Sequence, residues 1–199
     1  MFIIKRYCLP ACIMLWARSF AQSPVAIHAT DFGVKANSYE NAAPALRRTI
    51  DACKQYPASV LMLPPGRIDI WPDSADKREL YISNTTENDT RSKIKNIALL
   101  LERCNNITIE RHGTLIILHG KMLSFALLKC NNIKIRRLAF DYERPTMSEI
   151  IIESVSRNRI ETVFHPDSRF SVDSGKLSLY GEGWKVHDYH TILFDPVSD

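Results

Sequence analysis

The sequence predicts an all-β fold, a parallel β-helix closed at its N-terminal end by one helix and followed by an antiparallel segment. Three observations predict it. Cys104-Asn105-Asn106-Ile107-Thr108-Ile109 recurs 26 residues later as Cys130-Asn131-Asn132-Ile133-Lys134-Ile135, and a period of this size marks stacked units that share one core. Short runs around both copies alternate apolar and polar residues, which is the period of a half-buried strand and not of a helix. From Met147 onward the register disappears, and longer runs separated by Asn and Asp-Ser turns take over, as in antiparallel hairpins of a barrel or sandwich.

In chain order, the first 21 residues stand apart. Lys5 and Arg6 precede an apolar run from Tyr7 to Ala17, and Ser19-Phe20-Ala21 puts small residues at the minus-three and minus-one positions of a cleavage site. This pattern predicts a secretory signal peptide cut between Ala21 and Gln22, and a secreted or periplasmic product. Leu9-Pro10-Ala11-Cys12 offers lipid attachment through Cys12 as a minor alternative. The run is too short for a membrane span, and no later segment reaches the ~20 apolar residues that a membrane helix needs.

Charge adds an exclusion. Lys5, Arg6 and Arg18 have no acid beside them in that leader, so of the 26 Lys and Arg 23 remain to face 22 acids. A near-neutral mature chain gives no electrostatic reason to expect nucleic acid as a partner. Three cysteines remain after the leader, Cys53, Cys104 and Cys130; they are too few for a disulfide scaffold and are expected as small buried apolar groups.

Asn41 is placed to cap a helix running through Lys54, with Pro44 tolerated in its first turn and Ala42, Leu46, Thr49 or Ile50, and Cys53 on one apolar face. A solenoid's first coil exposes an apolar end, and this helix is assigned as its cover. Strands are expected at 60–63 and 67–70 around Pro64-Pro65-Gly66, then at 96–101, 107–110, 114–118, 125–128, 133–136 and 138–140. Stacking at the repeat period would set Asn105 over Asn131 or Asn106 over Asn132, with amides bonded to each other and to the turning backbone. Strands of the antiparallel segment are expected at 149–155, 159–164, 176–180 and 190–194.

Asp31-Phe32-Gly33-Val34, Thr49-Ile50-Asp51-Ala52-Cys53 and Leu61-Met62-Leu63-Pro64-Pro65-Gly66-Arg67 resemble the N-terminal cap of the pectate-lyase-like right-handed β-helix superfamily. A narrower resemblance rests on three segments. Gly66-Arg67-Ile68-Asp69-Ile70-Trp71-Pro72, Phe140-Asp141-Tyr142-Glu143-Arg144-Pro145, and Lys176-Leu177 through Gly181-Glu182-Gly183-Trp184 are similar to glycoside hydrolase family 110, bacterial exo-α-1,3-galactosidases. The resemblance runs from about residue 28 to the end. It implies a right-handed β-helix interrupted by an inserted β-barrel, and hydrolysis, with inversion, of terminal α-1,3-linked galactose such as that of blood-group-B-type glycans. The expected organisation is a signal peptide over 1–21, cap and first coils over 22–146, and an inserted barrel-like segment over 147–199 that is incomplete within this chain.

Inverting hydrolysis needs one carboxylic acid for the leaving oxygen and one carboxylate to activate water, about 6.5 to 9.5 Å apart. The resemblance puts the family's catalytic aspartates on coils beyond the inserted barrel, so no catalytic residue is assigned here, and the chain is expected to be inactive alone and prone to aggregate through an unpaired apolar edge. The candidate sugar contacts are Asp141 and Glu143, whose i, i+2 spacing on a strand puts both side chains on one face, and Trp71, an aromatic able to stack on a sugar. Packing roles compete for Trp71 and Trp184. Asp69, Asp73 and Asp76 crowd what reads as one polar loop, a Ca²⁺ candidate without the usual ligand pattern. His187 and His190 at i, i+3 lack a third ligand, and neither a metal nor a cofactor is assigned. The expected partner is a galactose-terminated glycan; the alternatives are a non-catalytic carbohydrate-binding β-helix or another β-helix polysaccharide-degrading enzyme.

Overall fold

The computed structural model describes residues 23–81, 93–111, 113–145 and 148–187. The expected leader with Cys12, the cleavage site expected at Ala21 and Gln22, and the strand expected at 190–194 lie outside the described residues.

Among the described residues the chain is all-β with one α-helix near the N-terminal end. Strands β1 (Val25–His28), β2 (Ser59–Leu63), β6 (Ile107–Arg111) and β9 (Lys134–Arg136) form one parallel sheet in that order. A second parallel sheet holds β3 (Gly66–Ile70), β7 (Thr114–Leu118) and β10 (Ala139–Tyr142). In the third, β5 (Ile94–Glu102) pairs in parallel with β8 (Leu123–Leu128), and β4 (Asp76–Glu79) lies antiparallel on the other edge of β5. The chain thus visits the three sheets in a fixed order, from β2 through β3 to β5 and from β6 through β7 to β8, before returning through β9 and β10.

Register gives the length of each circuit. Thr108 pairs with Lys134 and Ile97 with Leu123, in each case one repeat period further along the chain, as the recurring Cys-Asn-Asn segment predicts. Ser59 pairs with Ile107 and Gly66 with Thr114, a separation nearly twice that period. The first circuit is longer because the chain leaves the sheets after Ile70, makes a 3₁₀ turn over Pro72–Ser74 and adds β4. Neither β1 nor β4 has a repeat partner to reveal it in the sequence.

Alternation along each strand sends one set of side chains inward, and the parallel registers stack them. Ile27, Leu61, Ile109 and Ile135 form one such column in the first sheet. In the second, Ile68, Ile116 and Phe140 form another, and Ile70, Leu118 and Tyr142 a third. The isoleucines and leucines of these two columns are fully buried. Phe125 and Leu127, in register with buried Leu99 and Leu101, stay 43% and 42% exposed because no described strand follows β8.

The Asn-Asn turns repeat their backbone as well as their letters. Asn106 and Asn132 have φ of 53° and 52°, the left-handed region that Asn tolerates best among residues with a side chain. Asn132 Nδ2 donates to Asn106 Oδ1 at 2.8 Å, and Asn106 Nδ2 donates to the Pro57 carbonyl at 2.9 Å. This is the predicted ladder, in its Asn106 over Asn132 form, while Asn105 and Asn131 form an isolated parallel bridge.

Helix α1 spans Ala43–Cys53 and buries Ala43, Ala45, Leu46, Thr49, Ile50 and Cys53. Ala42 stands between it and Asn41, its N–H donated to the Asp69 carbonyl at 2.9 Å. Asn41 still serves the helix start, its side-chain oxygen accepting the Ala43 N–H at 3.1 Å. Cys53 and Cys104 are buried, Cys130 is half-buried, and all three are free thiols. Burial pushes the Cys104 thiol up to about 11, so it remains an inert apolar group at neutral pH.

After Pro145 pairing becomes antiparallel. β11 (Ile150–Ser156) pairs with β12 (Arg159–Phe164), and β13 (Arg169–Asp173), β14 (Lys176–Gly181) and β15 (Trp184–Val186) form a three-stranded sheet. β13 and β15 are additions to the strands expected from the sequence. No described residue of these five strands joins the main core cluster, which draws on residues between Val25 and Tyr142.

Candidate functional site

The outer face of the second sheet carries the polar side chains of interest. Register puts Asp69, Ile117 and Asp141 in one outward row across β3, β7 and β10. Two residues further along the first two strands, Trp71 and His119 fall on that same side. Their rings stack with centroids 3.8 Å apart and planes 11° off parallel, the contact expected of neighbours one strand spacing apart.

Asp69 is the centre of the cluster. It is 1% exposed, and a buried carboxylate needs donors. Arg67 supplies them from the same face of β3, two residues away, through Nε at 3.0 Å to both oxygens and Nη2 at 2.6 Å to Oδ1. His119 Nε2 lies 2.9 Å from Asp69 Oδ1. Burial alone would raise the Asp69 carboxyl, but the hydrogen bonds of Arg67 and His119 outweigh it and hold it below the usual carboxylate range. The same bonds, chiefly those to Asp69, fasten the proton of Arg67 more firmly.

The network extends in two directions. Arg67 Nη2 also reaches Glu143 Oε2 at 2.7 Å, and its guanidinium lies 4.9 Å from the ring centre of Tyr39. His119 Nδ1 lies 3.1 and 3.2 Å from the two carboxylate oxygens of Glu182, in the turn between β14 and β15, and the Gly120 N–H donates to Glu182 Oε2 at 3.2 Å. Asn41 holds the flank, accepting the Trp71 N–H and donating to Asp73 Oδ1 at 3.0 Å.

Of the residues singled out in the sequence, Asp141 and Glu143 are both exposed. Glu143 is engaged by Arg67, and Asp141 Oδ1 accepts the N–H of Tyr142 at 2.8 Å. Trp71 commits one ring face to His119. Asp69, Asp73 and Asp76 do not share a loop: Asp69 is inside β3, Asp73 meets Asn41, and Asp76 pairs with Arg47 at 3.0 Å. Among the described residues no three His, Cys, Asp or Glu side chains are grouped to hold a metal ion. His187 Nδ1 lies 2.8 Å from Ser178 Oγ, and His190 is outside the described residues. Trp184 packs across Gly181, where an added Cβ would strike the indole ring, a packing role.

Arg67, His119 and Glu182 carry the network, and none of them stands out in the sequence as a site residue. His119 reads as part of a His-Gly turn, and its alignment with Trp71 is hidden because the first circuit is nearly twice as long as the repeat. Glu182 comes from a turn that has no place in the repeat. Arg67-Ile68-Asp69 is the available signal, since i, i+2 spacing on a strand sets opposite charges side by side.

A scan against protein-family models finds no match. The chain is 43% identical over 196 residues to an alpha-1,3-galactosidase A of Bacteroides fragilis, an alignment covering 97% of this chain and 32% of that protein. It is 36% identical to an alpha-1,3-galactosidase B of Bacteroides thetaiotaomicron, over 98% of this chain and 31% of that protein, and 30% identical to an alpha-1,3-galactosidase A of Shewanella woodyi over 78% and 25%. The chain spans about a third of the length of the first two relatives. Along almost all of its residues, this chain belongs to the family of the bacterial α-1,3-galactosidases, the glycoside hydrolase family that its segments 66–72, 140–145 and 176–184 resemble.

Proposed function

We propose that these residues form the N-terminal scaffold of a secreted exo-α-1,3-galactosidase that removes terminal α-1,3-linked galactose, as on blood-group-B-type glycans, with inversion. The observation that carries this reading is 43% identity sustained over 97% of the chain to a protein of that name. In this reading the three sheets are the first coils of a right-handed parallel β-helix, α1 covers its end, β11–β15 belong to the inserted barrel, and cleavage after Ala21 exports the product. The cyclic order of the sheets, their register at the repeat period and the change to antiparallel pairing after Pro145 support it.

Chemically, the reading assigns scaffolding and substrate contact to this part of the enzyme. Inversion needs two carboxylates left free to exchange protons across a gap of about 6.5 to 9.5 Å. Asp69 is sealed by Arg67 and His119, Glu182 is spent on His119 and Gly120, and Glu143 on Arg67. Asp141, exposed on the outer face of β10, is the sugar contact best placed here, with Glu143 beside it. The resemblance to the family assigns the catalytic pair to the remainder of the family's length, and the engagement of Asp69, Glu182 and Glu143 agrees with that.

The test is galactose release from a Galα1-3Gal disaccharide, with the anomer first formed read by NMR. The product purified from the producing cell should release β-galactose, and residues 22–199 alone should release none. Absence of release by the native product, or turnover by residues 22–199 alone, contradicts the reading.

A further inference from the structure

No described residue of the antiparallel strands joins the main core, so the polar contacts between them and the parallel sheets carry part of the attachment. β11 and β12 are exposed along nearly their whole length, and Leu179, buried on β14, lies outside that core cluster. Their polar contacts with the earlier chain concentrate at the turn between β14 and β15. There one side chain, Glu182, meets two neighbouring residues: His119 Nδ1 lies near both of its oxygens, and Gly120 donates its N–H to one of them. A lesser contact runs from Arg144 to the Asp167 carbonyl at 3.5 Å.

The receiving side is shaped for this contact. His119 is 6% exposed, its ring is fixed by the Trp71 stack, and its other nitrogen faces Asp69. Its Nδ1 therefore has one direction in which to find a partner, and Glu182 lies there. Gly120 has φ of +69°, and a Cβ built on it would lie 3.1 Å from the Glu182 carbonyl oxygen and 3.3 Å from Pro72 Cγ. A side chain here would be strained by the left-handed backbone and would push the Glu182 carbonyl and Pro72 back by a few tenths of an ångström. The three features on the sheet side, a fixed imidazole, an amide donor and a missing side chain, all match one residue of the turn.

We propose that Glu182 is a clamp that docks the antiparallel strands, whose two sheets are joined by the Phe164–Phe170 ring stack at 4.4 Å, onto the outer face of the second sheet, with His119 and Gly120 as its seat. Releasing the clamp uncovers the stacked pair of Trp71 and His119 while leaving the parallel sheets intact. This device stands whichever sugar the enzyme takes, because it rests on contacts within the chain.

Residual dipolar couplings measured on the full chain as produced test it, since they report whether two parts tumble as one body. In the unaltered chain one alignment tensor should fit the amides of β6 and β7 and those of β11–β15. Glu182→Ala should split them into two tensors, with order in β11–β15 falling at least twofold, and Gly120→Ala should do the same from the opposite side of the contact. Glu182→Gln, which keeps one carbonyl acceptor, should fall between. A single tensor retained in both alanine variants overturns the proposal. So does loss of dispersed β6 and β7 resonances in the variants, which would mean that Glu182 supports the whole fold and not the docking.

Discussion

At the scale of single residues, Asp69 has a large predicted effect. Removing one partner from a buried ion pair costs about 3–5 kcal/mol, because the charge left behind has lost both water and its counter-ion. Asp69→Asn keeps the shape and removes the charge, but Arg67 keeps Glu143 and part of its hydration, so the variant should lose about 2 kcal/mol at pH 7 in urea unfolding, the range of a hydrogen bond to a charged group. The pH dependence follows from the direction of the shift. A carboxyl held below its ordinary value of about 4 gives stability that is complete above that value and is lost as pH falls through the lower folded one. The gap between Asp69→Asn and the unaltered chain should therefore narrow below about pH 4. A gap that does not change with acid would mean that Asp69 is not ionised in the fold. The sequence shows Arg67 and Asp69 at pairing distance on a strand, but it does not show that His119, 50 positions after Asp69, closes the network. That pairing depends on a register set by the excursion after Ile70, whose length no periodicity reports.

At the scale of elements, the Asn-Asn turns are legible because repetition reveals both their place and their partner. Asn106 does two things in that turn: it occupies a left-handed backbone and it bonds to Pro57 and Asn132. Two substitutions separate them. Asn106→Gly loses the hydrogen bonds alone, worth about 1 kcal/mol in sum after water replaces the exposed ones. Asn106→Ala loses them and adds the cost of a Cβ in the left-handed region, about 1 kcal/mol more. Thermal unfolding should rank the unaltered chain above Gly and Gly above Ala, and equal Gly and Ala variants would show that the backbone at 106 relaxes out of its left-handed form. Three of the elements that sequence reading misses share a physical cause. β4 and β15 are short and take their order from a neighbour across the sheet, Asp76 facing Ile97 and Trp184 facing Gly181. β1 is in the same position against β2. Such strands carry little pattern of their own.

At the scale of the whole molecule, two building principles meet in the chain. Up to Tyr142 parallel strands accumulate by stacking, and their inward columns become one core. Beyond Pro145 hairpins form locally and keep most of their surface in water. The change of principle is visible in the sequence as loss of the repeat register, while the attachment of the second part to the first is not, because it hangs on Glu182 and a glycine. Phe125 and Leu127 stay exposed in register with buried Leu99 and Leu101, a surface that the proposed reading covers with further strands, and the relatives are about three times as long as this chain. The central claim is that these residues work as part of such an enzyme. The most direct measurement is the mass of the native product in the producing cell, detected with an antibody against residues 94–142. The account predicts a product about three times 22.8 kDa that co-purifies with release of α-1,3-linked galactose, whereas a product slightly smaller than 22.8 kDa without that activity would contradict it.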